Sequence, residues 1–437
     1  MTDNSNQTDR SNQTASINPL AGVTPEIAAL RARRADALTN AQLSFQALLE
    51  PEATAASSGF SHTERYAVAA FLAGLYQAGP AHEFYADLLA DDAPASLISA
   101  VEAAIAHALD EGISQGPYAG GGYTTFEVLG SDAESPGLSP RLQAAFDFAH
   151  LLALHPKDAS PAAIGHLQAA GWSDDEIVSL AQLIAFLSFQ LRVVHGLAVL
   201  SGKNPGSKNP AAQRVQEAGQ GDGDQGDVAK PAWQPHARTL QPAVHAPRGF
   251  VAHPLGWKPW VAPLPAEEFT PEHTDALIRP ERISSEYFRL LARDPAALKA
   301  RTLTDLDIFY NTDGGLGRAE RELAATVVSR FNGCEYCASV HQQRSKEEGG
   351  DAQAIDRLLE EGVDADLGSQ KWDALREAAL ALTRTPFAFD ATTVQRLRSA
   401  GLDDLAVIDL INSAAFFNWA NRLMLTLGAP DVPKRYR

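Results

Sequence analysis

The chain repeats itself with a period of about 230 residues, and such a period is typical of a duplicated structural unit. The turn at Gly171 leads into a long apolar segment that ends near Arg192, and the turn at Gly401 leads into a similar segment that ends near Arg422. The register between the two segments stays constant from the turn to the arginine. This repeat limits the folds that the chain can adopt, and we predict two copies of one unit.

Apolar residues recur at a spacing of three to four in nearly every long segment, whereas the alternating pattern of strands is weak. Helix-start signals agree with this pattern. Thr270 and Pro271 offer an N-cap followed by proline, and Ser173 with Glu176 makes a capping box. The most apolar stretch, 180–200, is interrupted by polar side chains and is predicted to be a buried helix and not a bilayer span. The predicted fold class is all-α, with two tandem helical domains.

Changes in composition divide the chain into four parts. We predict a disordered tail over 1–16, a first helical domain over 17–202, a flexible linker over 203–248 and a second helical domain over 249–437. The linker assignment rests on the loss of apolar periodicity and on the many Gly, Pro, Gln and Asp residues in that segment.

The first copy is predicted to carry an insertion. The sequence around Glu64 resembles that around Glu322, and these two positions lie further apart than Gly171 and Gly401. The difference corresponds to roughly 28 extra residues in the first copy, and insertions into one repeat usually form loops. The extra residues are expected to include the Gly-rich patch 116–123. This patch lacks the Gly-Lys-Ser/Thr ending of a phosphate-binding loop, so we interpret it as a surface loop.

The net charge of the chain is −18, from 54 acidic and 36 basic residues. Such a charge repels phosphate backbones and anionic lipid headgroups, so nucleic acids and membranes are not expected as partners. The polar start of the chain lacks the basic and apolar regions of a signal peptide. Together with a single cysteine pair, this start favours a location in the reducing cytoplasm.

The chain has two cysteines, Cys334 and Cys337, and they form a Cys-x-x-Cys pair. Asn332 and Gly333 favour a left-handed turn that ends the preceding apolar helix, so a new helix should begin near Cys334. Free backbone N–H groups and the helix dipole favour a thiolate there and lower the cysteine pKa. We therefore predict a redox-active dithiol.

His341 and Glu322 are predicted to serve this dithiol. Cys337 and His341 are four residues apart, so their side chains share one helix face. If the two helices form a hairpin, Glu322 and His341 lie about 16 and 12 Å from the turn at Gly333 and are nearly level. Glu322 would then orient His341, which serves Cys337. Either cysteine can be the attacking one, since Cys334 has the helix terminus and Cys337 has the nearby base.

This combination of Glu322, the Cys-x-x-Cys pair and the following His341 resembles the alkyl hydroperoxidase D proteins of the carboxymuconolactone decarboxylase superfamily. The surrounding sequence is similar to the peroxidase-related branch in particular. The resemblance covers residues 270–437 well and the first copy only loosely. Where alkyl hydroperoxidase D has a histidine inside the Cys-x-x-Cys pair, this chain has Tyr336, which is expected to support the site without acting as a base.

The resemblance implies all-α units that assemble as trimers or hexamers and reduce organic hydroperoxides through a dithiol and disulfide cycle. It implies no metal, haem or other cofactor. A separate thiol reductant, either a protein or a small dithiol, is expected to regenerate the dithiol, because the chain has no flavin or nicotinamide motif. A homo-oligomer of two or three tandem chains is expected, since each chain can replace two subunits.

Other interpretations stay open at this stage. The two cysteines, His341 and Glu322 are possible zinc ligands. The dithiol also suits a disulfide reductase or a redox sensor that does not consume peroxide. The first copy has no cysteines and is either a degenerate scaffold or a decarboxylase-like acid and base site, for which the candidates are His62, Glu64 and His82.

Overall fold

The computed structural model describes residues 17–52, 59–111, 138–205 and 233–437. Within these segments helices are the main secondary structure and the two strands have four residues each, which confirms the all-α fold class. Three features expected from the sequence lie outside the described residues, namely the tail over 1–16, the Gly-rich patch 116–123 and the central part of the linker over 206–232.

The helices of the first half are α1 (Ile17–Ala21), α2 (Pro25–Arg31), α3 (Ala35–Leu49), α4 (His62–Leu75), α5 (Gly79–Asp92), α6 (Ala95–Glu111), α7 (Pro140–Leu154), α8 (Pro161–Ala169) and α9 (Asp174–Leu200). Those of the second half are α10 (Pro271–Ala276), α11 (Glu286–Leu291), α12 (Pro295–Tyr310), α13 (Arg318–Phe331), α14 (Glu335–Glu347), α15 (Ala352–Glu361), α16 (Gln370–Thr383), α17 (Ala391–Ser399) and α18 (Asp404–Thr426). Short 3-10 turns lie at Pro156–Asp158, Ala266–Glu268, Pro280–Ser284 and Lys434–Tyr436.

The capping signals of the sequence start the helices where we expected. Ser173 and Glu176 form the capping box that begins α9, and Thr270 caps α10 with Pro271 in its first turn. By length and composition α9 could cross a membrane, but 94% of its most apolar window is buried inside the protein. The expectation of a buried helix at this stretch is confirmed.

The second half repeats the order of helices of the first. The starts of α7, α8 and α9 precede those of α16, α17 and α18 by one constant interval, and the starts of α4 and α5 precede those of α13 and α14 by a longer one. Equivalent ion pairs fix this register, because Arg141 binds Glu64 in the first half as Lys371 binds Glu320 in the second. Our alignment of Glu64 with Glu322 was therefore wrong, since Glu64 corresponds to Glu320.

Helices α9 and α18 pack against each other where the two halves meet. Phe186 contacts Trp419 edge to face at a centroid distance of 5.2 Å, and Phe189 contacts Phe416 in the same manner at 6.2 Å. These two contacts are equivalent under the repeat, because Phe186 corresponds to Phe416 and Phe189 corresponds to Trp419. The two halves are thus related by an approximate twofold axis that passes between α9 and α18.

Two buried arginines join the halves in the same reciprocal way. Arg192 donates a hydrogen bond to the carbonyl oxygen of Thr383 at 2.8 Å, and its counterpart Arg422 donates one to the carbonyl oxygen of Ala153, also at 2.8 Å. Burial lowers the pKa of Arg192 to about 10 and also lowers that of Arg422. Arg192 therefore satisfies a carbonyl oxygen at the end of α16, and Arg422 satisfies one near the end of α7.

An extended strap, residues 255–263, packs on the second half and includes one strand of a short sheet. Strand β1 (Gly256–Pro259) pairs antiparallel with β2 (Gly428–Asp431). The indole of Trp257 donates a hydrogen bond to the carbonyl oxygen of Met424 at 2.9 Å and packs edge to face on Tyr287 at 5.4 Å. This strap therefore holds α11, which carries Tyr287, against the end of α18.

Residues 233–248, which we expected to be part of a flexible linker, contact the first half. Trp233 stacks on His166 at a centroid distance of 4.6 Å, and the hydroxyl of Thr239 donates a hydrogen bond to the Gln168 side chain at 2.6 Å. The backbone at Gln234 also lies against α8. Apolar and polar contacts therefore fix this part of the segment in one place.

Candidate active site

The dithiol lies at the turn between α13 and α14, which pack side by side as a hairpin. Gly333 adopts a left-handed backbone conformation with φ of 76° and ends α13, as Gly does readily. Cys334 is the N-cap residue of α14, and its backbone N–H donates a hydrogen bond to the carbonyl oxygen of Ser329 at 2.9 Å. The end of α13 at Asn332 and Gly333 thus positions the first cysteine at the start of the next helix.

Both cysteines are free thiols and both are buried, with 1% of Cys334 and 5% of Cys337 exposed. Burial raises the pKa of Cys334 well above its ordinary value, and the neighbouring Cys337 thiol adds to this rise. The backbone N–H of Cys337 donates to Cys334 and acts in the opposite direction. We expected the helix start to lower the pKa of Cys334, and that expectation was wrong because desolvation outweighs the helix N–H groups.

Glu322 and His341 meet across the hairpin. His341 Nδ1 lies 2.5 Å from Glu322 Oε2, and Arg318 donates two hydrogen bonds of 3.2 Å to Glu322 Oε1. Burial raises the pKa of Glu322, but the charges of His341, Arg344 and Arg318 outweigh this effect, so the net pKa is lowered. The fully buried carboxylate is therefore ionised at neutral pH.

The ionised carboxylate fixes the proton arrangement of His341. A carboxylate can only accept hydrogen bonds, so Nδ1 of His341 carries a hydrogen and, in the neutral ring, Nε2 has a free lone pair. Phe417 packs edge to face on the His341 ring at 4.2 Å, and Phe309 lies at 6.2 Å. The imidazole is thus held in one orientation, one helical turn from Cys337 and on the same helix face.

Tyr336, between the two cysteines, does not replace the missing histidine as a base. Its pKa is raised by burial, and the neighbouring Cys337 and Cys334 raise it further. The phenol therefore stays protonated at neutral pH and can form hydrogen bonds or pack against the dithiol, but it does not take up a proton.

Three residues near the dithiol were not predicted from the sequence. Lys157 of the first half binds Glu335, which directly follows Cys334. Arg318 stands four residues before Glu322, a helical spacing that could have revealed it. Tyr287 comes from α11, a helix of six residues, and no sequence pattern connects it to the cysteines.

The first half has no equivalent of this site. The first-half counterparts of Glu322, Cys334, Cys337 and His341 are Tyr66, Ala78, Ala81 and Tyr85. The acid and base candidates of the first half are bound to separate partners. Glu64 accepts a hydrogen bond from Arg141 at 2.9 Å, and His82 contacts Glu102 at 3.3 Å. Glu64 and His82 therefore take part in separate contacts.

Over the described ranges, no group of three or more His, Cys, Asp or Glu side chains is arranged to hold a metal ion. The four residues that we considered as zinc ligands form two pairs, Glu322 with His341 and Cys334 with Cys337. Glu322 is bound by His341 and Arg318, and the two cysteines contact each other.

Comparison with known proteins relates the site to one family. Residues 295–380 match the model of the carboxymuconolactone decarboxylase family, and this range includes Glu322, Cys334, Cys337 and His341. The match confirms the expected resemblance to the carboxymuconolactone decarboxylase superfamily over these residues. No curated protein matches the chain. Among solved structures, an uncharacterized peroxidase-related protein from Silicibacter sp. TM1040 is 26% identical, with 40% of this chain and 91% of that chain covered and a TM-score of 0.34.

Proposed function

We propose that this protein, whose residues 295–380 match the carboxymuconolactone decarboxylase family, is a thiol-dependent peroxidase of the alkyl hydroperoxide reductase type. The observation that carries the proposal is the 2.5 Å contact between Glu322 and His341, one helical turn from a buried dithiol. An ionised carboxylate that orients a histidine beside a cysteine is the arrangement that activates thiol nucleophiles.

In the proposed reaction, Nε2 of His341 accepts the proton of the Cys337 thiol. The resulting thiolate attacks the outer oxygen of an organic hydroperoxide, so an S–O bond forms and the O–O bond breaks. The departing alkoxide takes the proton back from His341 and leaves as an alcohol. Cys337 becomes a sulfenic acid, and the peroxide gains two electrons. Glu322 stabilises the charged imidazole during this transfer.

Cys334 then resolves the sulfenic acid. Its sulfur attacks the sulfur of Cys337, hydroxide leaves, and the proton of the Cys334 thiol converts this hydroxide to water. The products are a Cys334–Cys337 disulfide, an alcohol and water. The raised pKa and lower exposure of Cys334 support its role as the resolving thiol, because a thiol with a raised pKa is a poor first nucleophile at neutral pH.

The cycle requires a thiol reductant, either a protein or a small dithiol, to reduce the disulfide by exchange. We further propose that the protein acts in the cytoplasm as a homo-oligomer of two or three tandem chains. The reducing compartment supports such a cycle because it supplies thiols continuously.

A second function is a disulfide reductase or redox sensor that does not consume peroxide. Tyr336 favours this alternative, because the family's histidine inside the Cys-x-x-Cys pair is replaced by a side chain that stays protonated. In that case the dithiol exchanges with the disulfide of another protein, and His341 assists the same cysteine.

Peroxide consumption in the presence of dithiothreitol distinguishes the two functions. We expect the wild type to consume an organic hydroperoxide and Cys337→Ser to be inactive. Cys334→Ser should still react with peroxide but turn over more slowly than the wild type, because dithiothreitol must then reduce the Cys337 sulfenic acid directly. The control is Ala81→Ser, the equivalent substitution in the first half, which should retain the wild-type rate. A wild-type rate equal to that of both cysteine variants rules out the peroxidase, and reduction of a protein disulfide would then support the alternative.

A further inference from the structure

Arg301, on α12, is a buried cation that forms no ion pair with any residue the structure describes. Only 6% of the residue is exposed, and its guanidinium stacks on Phe416 at 5.0 Å and on Trp419 at 5.8 Å. Its Nε is buried and has no hydrogen-bond partner among the described residues. Aromatic faces attract a cation but do not accept the hydrogen bonds that its N–H groups offer.

The carboxylate of Asp305 does not accept a hydrogen bond from Arg301. Asp305 lies one turn further along α12, and its charge interacts with Arg301 and His341 at a distance. No ion pair joins Asp305 to Arg301 within the part of the chain that the structure describes. Glu322 is already bound to His341 and Arg318. A buried guanidinium without an ion pair or a hydrogen-bond acceptor reduces the stability of the fold, and an anionic ligand would supply both.

Tyr287 supplies a second unused donor in the same region. Its hydroxyl is buried and has no partner among the described side chains and backbone. Burial raises its pKa to about 12, while Arg301 acts in the opposite direction and the Cys337 and Cys334 thiols add to the rise. The phenol thus stays a hydrogen-bond donor and lies near both Arg301 and the dithiol.

Ring contacts connect Arg301 to the histidine of the site. Phe416, on which Arg301 stacks, contacts Phe309 and Phe417 at centroid distances of 6.1 Å each. Phe309 and Phe417 in turn contact His341 at 6.2 and 4.2 Å. An aromatic layer two rings deep, Phe416 and then Phe309 or Phe417, therefore lies between the Arg301 guanidinium and the imidazole.

We propose that Arg301 and Tyr287 form a carboxylate-binding subsite beside the dithiol, and that the substrates are hydroperoxides that carry a carboxylate. A guanidinium presents parallel N–H donors that match the two oxygens of a carboxylate, and a phenol adds one further donor. The peroxide part of this inference rests on the proposed function, whereas the subsite requires only that the dithiol reacts.

Alkylation of the reduced protein tests the subsite without peroxide. Iodoacetate and iodoacetamide both form an S–C bond and release iodide, but only iodoacetate carries a carboxylate. We expect the rate ratio of iodoacetate to iodoacetamide to fall roughly ten-fold in Arg301→Gln and less in Tyr287→Phe. The control Arg376→Gln changes an arginine that already binds the Val363 carbonyl oxygen, and it should keep the wild-type ratio. An unchanged ratio in Arg301→Gln overturns the subsite.

A second measurement needs only the wild type, in case Arg301→Gln does not fold. Butyrate should slow alkylation by iodoacetamide, whereas the neutral butyramide should not, and equal effects overturn the subsite. For the peroxide part, a hydroperoxide with a free carboxylate should show a KM roughly ten-fold below that of its methyl ester. A charge-selective alkylation without any peroxide consumption overturns the peroxidase proposal and leaves the subsite in place.

Discussion

Lys157 of the cysteine-free half donates hydrogen bonds to both carboxylate oxygens of Glu335, at 2.6 and 2.5 Å, directly beside Cys334. The Lys157 side chain also covers Gly333, where an added Cβ would lie 3.1 Å from its Cδ. The first half therefore forms one wall of the dithiol turn. This contact gives the cysteine-free half a physical role, because it restrains the loop that carries the first cysteine.

Lys157→Ala should destabilise the protein and loosen the dithiol turn. The Lys157 and Glu335 side chains are only 19% and 12% exposed, so removal of the lysine leaves a largely buried carboxylate unpaired. We expect the free energy of unfolding to fall by about 1–2 kcal/mol in urea titrations. Lys346→Ala, which breaks a more exposed pair with Asp356, should cost less than about 0.5 kcal/mol. Equal losses in the two variants would contradict a structural role of Lys157.

Local sequence predicted the hairpin and the contact between Glu322 and His341, but not the residues that pack around them from other segments. Asn332 and Gly333 mark the turn, and the helical spacings of Glu322 and His341 bring them level, so these residues could be placed from short-range geometry. Lys157 is far from Glu335 in the sequence, and no local pattern reveals such a contact. The direction of the Cys334 pKa was missed for a similar reason, because the burial that dominates it comes from distant segments.

The raised pKa of Cys334 should make stability depend on pH. A group that holds its proton more tightly in the folded state contributes stability that is complete below its unfolded pKa, near 8.5, and is lost as pH rises towards the folded pKa. Between pH 8.5 and 10, we expect the wild type to lose up to about 1.4 kcal/mol per pH unit relative to Cys334→Ser. The measurement is urea unfolding under reducing conditions. Parallel pH profiles for the two proteins would show that Cys334 titrates normally.

Glu322→Gln should slow the chemistry without changing the shape of the site. The amide can still accept a hydrogen bond from His341, but it cannot stabilise a charged imidazole. We expect peroxide consumption to fall roughly 100-fold. Alkylation by neutral iodoacetamide at pH 7 should fall in parallel, because both reactions need the thiolate.

The matched control for this variant is Glu320→Gln, which removes a carboxylate on the same helix that binds Lys371 instead. Its rates should equal those of the wild type. Wild-type alkylation in Glu322→Gln would show that the carboxylate does not support the thiolate.

Gly196→Ala tests the packing of α9 on α18. An added Cβ would lie 2.9, 3.0 and 3.1 Å from three side-chain carbons of Ile411, so the isoleucine must move. Overpacking of this kind costs about 1–3 kcal/mol, which exceeds the gain of up to about 1 kcal/mol from replacing glycine within a helix. We expect a net loss of about 1 kcal/mol in urea unfolding. Ile411→Val removes one crowded carbon, so the double variant should be more stable than the sum of the two single effects. Strict additivity would place these two residues out of contact and contradict the close approach of the two halves.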